Sequence, residues 1–283
     1  MPNNADYCAD LVRQADRDRY LAALLAPAEH RDGLFALAAF NIEITRVRDL
    51  AREPMPGEIR LQWWREVLLG ERQGEGEANP VSAALLEALQ RYGFVAAPLL
   101  ELIDAHTFDL YDEPMGTVDS LELHGIRTQS PLLAMAAGML NGGAALPENV
   151  TLDASIAAAI IKVLIDLPKH ASRRQLYVPL DVLEKHKVDI EDVFAGQATP
   201  ALRDALAEMR ALVRAHLTKA GEALRAAPLP ILPAFLPLAL IGPTLRLMDR
   251  PDTDPFRFMP LAPWRRQWLL WRAARNPKRL TAV

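Results

Sequence analysis

Apolar positions recur every three or four residues along this chain. No stretch alternates strictly between apolar and polar, so the pattern predicts helices throughout and no sheet. The period predicts a first helix from about Asp16 to Leu25. A second covers Arg31–Leu50, with Leu34, Leu37, Ala38 and Phe40 apolar, and a third covers Glu58–Leu69, carrying Trp63 and Trp64. Glu71–Pro80 contains Gly, Glu and Asn and reads as a solvated loop. Helices resume over Val81–Tyr92, Pro98–Tyr111 and Thr117–Leu140, with Pro131 as the point of interruption if there is one. Beyond the Gly142, Gly143 and Pro147 breaker, Leu152–Leu167 is apolar nearly all round and predicts a central buried helix. Leu176–Pro179 is irregular and Asp181–His186 helical. Ala201–Leu224 is amphipathic, with Leu202, Leu206, Met209, Val213 and Leu217 in step.

One stretch calls for a membrane test. Ala226–Leu245 carries no charge and is long enough to span a bilayer. It also contains Pro228, Pro230, Pro233, Pro237 and Pro243. Each proline removes a backbone donor, so the stretch reads as a buried, kinked apolar segment.

Composition narrows the class. The chain has 283 residues, 51% of them hydrophobic and 24% charged, which suits a globular protein and argues against disorder. No fixed-period repeat and no linker divides it, so it reads as a single domain, 1–283. Cys8 is the one cysteine, which rules out an intramolecular disulfide. The first residues lack a basic segment followed by an apolar run, so they do not read as a secretory signal, and a cytoplasmic location is expected, with peripheral attachment to the inner membrane open. The net charge of −4 offers no whole-chain basic field for nucleic acid.

Candidate chemistry starts on the Leu152–Leu167 segment. Lys162, Asp166 and His170 stand at i, i+4 and i+8, one face of an otherwise apolar helix, with Pro168 loosening the alignment. Uncompensated buried charge is strongly unfavourable, so the stripe needs a partner. That partner is either internal, as a Lys162–Asp166 ion pair, or a ligand in a polar pocket. A second polar line on Arg31–Leu50 places Asn41, Thr45 and Asp49 four apart, and Glu43, Arg46 and Asp49 three apart. A solvated face with internal pairs explains it equally. The six histidines lack metal-ligand spacing, and no phosphate-binding loop, dinucleotide fingerprint or nucleophile elbow is present.

Both stripes lie in contexts that resemble the squalene/phytoene synthase family. LFALAAFNIEITRVRD resembles the family's first motif helix, an aromatic-rich run followed by DDxxD. Phe40 matches an aromatic, while Thr45, Arg46 and Asp49 occupy the three acidic positions. LIDLPKHASRRQLYVP resembles the second motif, DxxxD before Gly-Arg-x-Tyr-Leu-Pro. Asp166 matches its first aspartate and His170 stands at its second; Arg174 and Gln175 replace Gly-Arg, and Tyr177 and Pro179 match. LIDAHTFDL resembles the family's intervening helix, with Asp109 matched and Ala105 in place of glycine. The resemblance implies an all-α helical bundle of the isoprenoid-synthase type around a central apolar cavity. It also implies magnesium, held by the motif aspartates against prenyl diphosphates.

Of the five acidic motif positions two survive, Asp49 and Asp166, and Arg46, Arg48, Lys162 and Lys169 bring positive charge to the same segments. Fixed cations repel Mg²⁺ yet attract an anion directly. The run Arg52–Leu68 (REPMPGEIRLQWWREVL) and Leu167–Ala171 are similar to a divergent branch, the phytoene-synthase-like assembly factors of respiratory complex I. The leading expectation is therefore a non-catalytic or weakly catalytic protein that supports complex I assembly or binds an isoprenoid or lipid-like ligand. Arg46, Thr45, Lys162, His170 and Tyr177 would serve as ligand-binding residues, with Asp49 and Asp166 as weak metal ligands. The alternative is an active Mg²⁺-dependent prenyltransferase using Asp49, Asp109 and Asp166, and a third reading is a plain interaction module. Finally, the tail at about 264–283 places Trp264, Trp268 and Trp271 at i, i+4 and i+7 beside basic residues. That arrangement suits an anionic membrane surface or a helix packed on the domain.

Overall fold

The computed structural model describes residues 3–51, 53–111, 113–144, 146–147 and 149–282; Arg52, the first residue of the Arg52–Leu68 run, lies outside them. Among the described residues there are helices and turns and no strand, as the period requires. They form two compact units, each built from discontinuous segments. The first unit comprises Met1–Tyr111, Ser130–Pro147 and Ala227–Pro237; the second comprises Asp112–Gln129, Glu148–Ala226 and Leu238–Val283.

In the first unit a helix absent from the sequence expectation comes first. Asn4–Ala15 is capped by the Asn3 side chain, which accepts from the Ala5 and Asp6 amides, and it buries Cys8 and Val12 one turn apart. Burial, helped by the Asp32 charge, pushes the Cys8 thiol up to about 12. Asp16 then caps Arg17–Leu24 by accepting from the Arg19 amide, which is why the chain breaks there and restarts. Ala28–Thr45 is buried on nearly every side from Gly33 to Ile44. Phe40, fully buried, meets Trp64 of Pro54–Leu68 edge-to-face at 5.2 Å.

The predicted loop Glu71–Pro80 holds a helix, Gln73–Ala78. Its propensity is poor, but its contacts are good. Trp63 Nε1 donates to Glu75 at 3.0 Å and Arg72 Nη1 to Glu75 at 2.9 Å, while Gly76 is buried. The Trp63 and Arg72 hydrogen bonds hold the Glu75 carboxyl below its usual range. Tertiary contacts thus override a composition that reads as coil.

Val118–Leu140 runs through Pro131 without a break and contributes its halves to the two units. An interior proline costs about 3 kcal/mol. Burial of Leu132, Met135 and Met139 on the same helix offsets that, at roughly 1.5–3 kcal/mol each.

The second unit is organised by Asn149–Ile165 against Pro200–Arg225, the latter started by Pro200 and capped by Thr199. Asn149–Ile165 is buried through most of its length, with exposure at Asn149 and Leu152 near its start and at Lys162 and Ile165 near its end. Gly125 lets Val118–Leu140 approach closely, since a Cβ there would lie 2.7 Å from the Ala159 Cβ. Three helices converge on His216, 7% exposed, whose Nδ1 lies 2.7 Å from Asp153 and Nε2 3.1 Å from Glu122.

Leu229–Met248 is long and apolar enough to cross a membrane by length and composition, and 67% of it is buried within the fold. It is split into Leu229–Ile231, Leu232–Phe235, Leu236–Leu240 and Ile241–Met248, the segmentation its prolines require.

Candidate functional site

The candidate residues fall into one group per unit. In the first unit, Ala28–Thr45 ends at Thr45, whose hydroxyl donates to the Asn41 carbonyl at 2.9 Å. This back-bond uses the hydroxyl within its own helix. Arg46 leaves the helix and lies 3.7 Å from Glu43, and the short turn Val47–Leu50 carries Asp49 on the surface. Asp109 lies in the tight turn Phe108–Leu110, where its Oδ2 accepts from His106 Nδ1 at 2.6 Å. His106 is 7% exposed, so this pair is part of the interior.

The same unit holds an apolar cavity of about 60 Å³, lined among others by Ala23, Leu37, Ala38, Asn41, Leu133 and Pro237. Ligand pockets usually measure roughly 300–1,000 Å³, so this one admits a short apolar group rather than a whole prenyl chain. Asn41, 5% exposed, contributes an Oδ1 that accepts no hydrogen bond from the described residues. An orphaned buried acceptor is costly, and with Arg19 it gives polar character to an otherwise apolar wall.

In the second unit, Lys162 Nζ meets Asp166 Oδ2 at 2.6 Å. The helix ends at Ile165 and a new one, Leu167–Ser172, begins with Pro168 in its first turn. The restart carries His170 to an aromatic partner: its ring centroid lies 4.5 Å from that of Tyr177, and the Tyr177 ring lies 6.4 Å from His124. No sequence signal pointed to His124. Arg174 adopts φ +54°, a conformation that suits glycine. Its guanidinium offsets the strain by bonding both Glu191 oxygens, at 2.6 and 3.1 Å, and by stacking 4.4 Å from the Phe194 ring centre.

A second cavity, about 250 Å³, lies in this unit over Leu164, Leu206, Met248 and Phe258. Two of its arginines are engaged: Arg210 bonds Asp249 at 2.9 Å and Arg203 donates to the Thr253 carbonyl at 2.8 Å. Periodicity had shown Leu206 as core and nothing more.

The donor set does not fit magnesium. Mg²⁺ takes near-octahedral oxygen ligands and favours carboxylates. In the first unit Thr45 is turned to its backbone and Arg46 is cationic; in the second Asp166 is already paired with Lys162. Among the described residues no group of three or more His, Cys, Asp or Glu is arranged to hold a metal.

A model of the squalene/phytoene synthase family matches residues 12–272. The NADH dehydrogenase (ubiquinone) complex I assembly factor 6 of Rattus norvegicus is 30% identical over 256 residues, covering 90% of this chain and 77% of that protein. A phytoene synthase of Thermus thermophilus is 30% identical over 212 residues, covering 72% of this chain and 70% of that one. Among solved structures, a dehydrosqualene synthase in complex with ligand superposes with a TM-score of 0.79 at 16% identity, covering 97% of this chain and 96% of that one. The expected all-α isoprenoid-synthase fold is therefore the fold found.

Proposed function

Because this chain belongs to the squalene/phytoene synthase family, we propose that it is a non-catalytic or weakly catalytic member of that fold serving the assembly of respiratory complex I. The observation that carries the reading is the Lys162–Asp166 pair: an ammonium occupies the carboxylate that a metal would need. Asp109, committed to His106, supports it. In this reading the chain is one family domain, 1–283, and works at the inner membrane from the cytoplasmic side. In the second unit Lys162, His170 and Tyr177 would meet an anionic or isoprenoid group, and in the first unit Arg46 and Thr45 would offer a cation and a hydroxyl to such a group.

Deleting the gene from its host and following assembled complex I tests the role. Loss of the complex, restored by the Asp166→Ala chain, is the expected result. Complementation that fails with Asp166→Ala while the variant remains folded would argue for metal-dependent catalysis.

One observation favours the alternative enzyme: Asp49, Asp109 and Asp166 all survive at motif positions. Titration with a non-hydrolysable farnesyl diphosphate analogue separates the two. The proposal expects binding indifferent to Mg²⁺, and Mg²⁺-dependent release of diphosphate from farnesyl or geranylgeranyl diphosphate would overturn it.

A further inference from the structure

We infer that the C-terminal helix Pro263–Arg275 is a peripheral docking surface for an anionic lipid bilayer. The inference is independent of what the two motif regions do.

Leu270 and Ala273 anchor the helix to its unit and are 0% and 2% exposed, as is Leu280 just beyond it at 1%. The opposite side carries the largest apolar side chains the protein shows to water. Trp264 is 72% exposed, Trp268 46% and Trp271 42%. Spaced at i, i+4 and i+7, they form one row along the helix, with Arg275 in line after them. Three indoles that could have packed inward are instead held outward by the buried side.

The charge is as one-sided as the shape. From Pro255 to Thr281 there are Arg257, Arg265, Arg266, Arg272, Arg275, Lys278 and Arg279 and no acid, in a chain of net charge −4. Two of these arginines lie on the row itself: the Arg272 guanidinium is 4.1 Å from the Trp268 ring centre and that of Arg275 is 3.8 Å from Trp271. Stacking keeps the guanidinium beside the indole, so both reach the same depth. An indole belongs among the headgroups, with its ring in the acyl boundary and its N–H wet, and an arginine beside it meets lipid phosphate.

Length sets the mode of attachment. Thirteen residues make a helix of roughly 20 Å, short of the roughly 30 Å hydrocarbon core, so this helix lies in the interface rather than across it. A second copy of the chain is a poor occupant, because self-pairing would bring the two arginine rows together.

Co-sedimentation of the full chain with vesicles decides the matter, using phosphatidylcholine alone against phosphatidylcholine with phosphatidylglycerol. The expected result is partition into the anionic vesicles, a blue shift of tryptophan emission, and weakening as salt rises. A Trp264→Ser, Trp268→Ser, Trp271→Ser chain should lose that partition while keeping its helical circular dichroism. A separate Arg275→Gln, Lys278→Gln chain should bind more weakly by about fivefold per charge removed. Failure of the parent chain to bind anionic vesicles, or undiminished binding by the triple variant, would overturn the inference. So would a dimer in sedimentation equilibrium that the triple variant dissolves while vesicles are ignored.

Discussion

Lys162 and Asp166 close an ion pair of 2.6 Å across one helical turn, with the lysine side chain 61% exposed and the aspartate 25%. The two charges of the polar stripe are thereby paired with each other. An exposed pair at this spacing contributes little. Asp166→Asn should therefore shift the urea midpoint by an amount equivalent to less than about 1 kcal/mol. Added Mg²⁺ should leave the Tm of the parent chain unchanged; a rise in Tm with Mg²⁺ that the variant loses would restore Asp166 as a metal ligand.

His216 joins three helices through Asp153 and Glu122 and is 7% exposed. Removing it strands two shielded carboxylates and leaves a cavity. His216→Ala should cost about 2–4 kcal/mol in equilibrium urea unfolding. A cost below that of the Asp166→Asn change would show that the cluster is not structural.

Gly125 should tolerate no side chain. The 2.7 Å approach of an added Cβ to Ala159 is resolved only by moving one helix backbone away from the other. Gly125→Ala should lower stability by about 1–3 kcal/mol, although alanine is the better helix former by about 1 kcal/mol. A stabilised variant in thermal unfolding would contradict the close packing.

Glu208 is held below its ordinary 4.5 first by the Lys185 ammonium and then by His186. A carboxyl whose native pKa is lowered stabilises the fold above its unfolded pKa. That contribution fades as pH falls from about 4.5 through the native value. Glu208→Gln should therefore flatten the fall of stability with acid in that window and change little at neutral pH. Parallel pH profiles for parent and variant would refute the coupling.

The motif residues divide according to how local their partners are. Lys162–Asp166 was legible because its partners stand four residues apart on one helix, where geometry alone brings them together. Asp109 was legible as a position but not as a partner of His106, since a turn, not a helix period, closes that pair. The Gln73–Ala78 helix was hidden because its stability comes from Trp63 and Arg72 rather than from its own residues. The exposure of Trp264, Trp268 and Trp271 was undecidable from spacing, because a row of indoles at helical period suits a core as well as a surface.

By itself the sequence determined the helical class, most element positions and the kinked course of the proline-rich segment. Each of these follows from periodicity, backbone donors or residue identity within a few turns of chain. Only the tertiary structure decided that His216 lies between residues 63 and 94 positions away, that Gly125 is a contact point, and that the C-terminal indoles face water. Those outcomes depend on which faces pack together, and burial energy is set by the whole arrangement rather than by any local pattern.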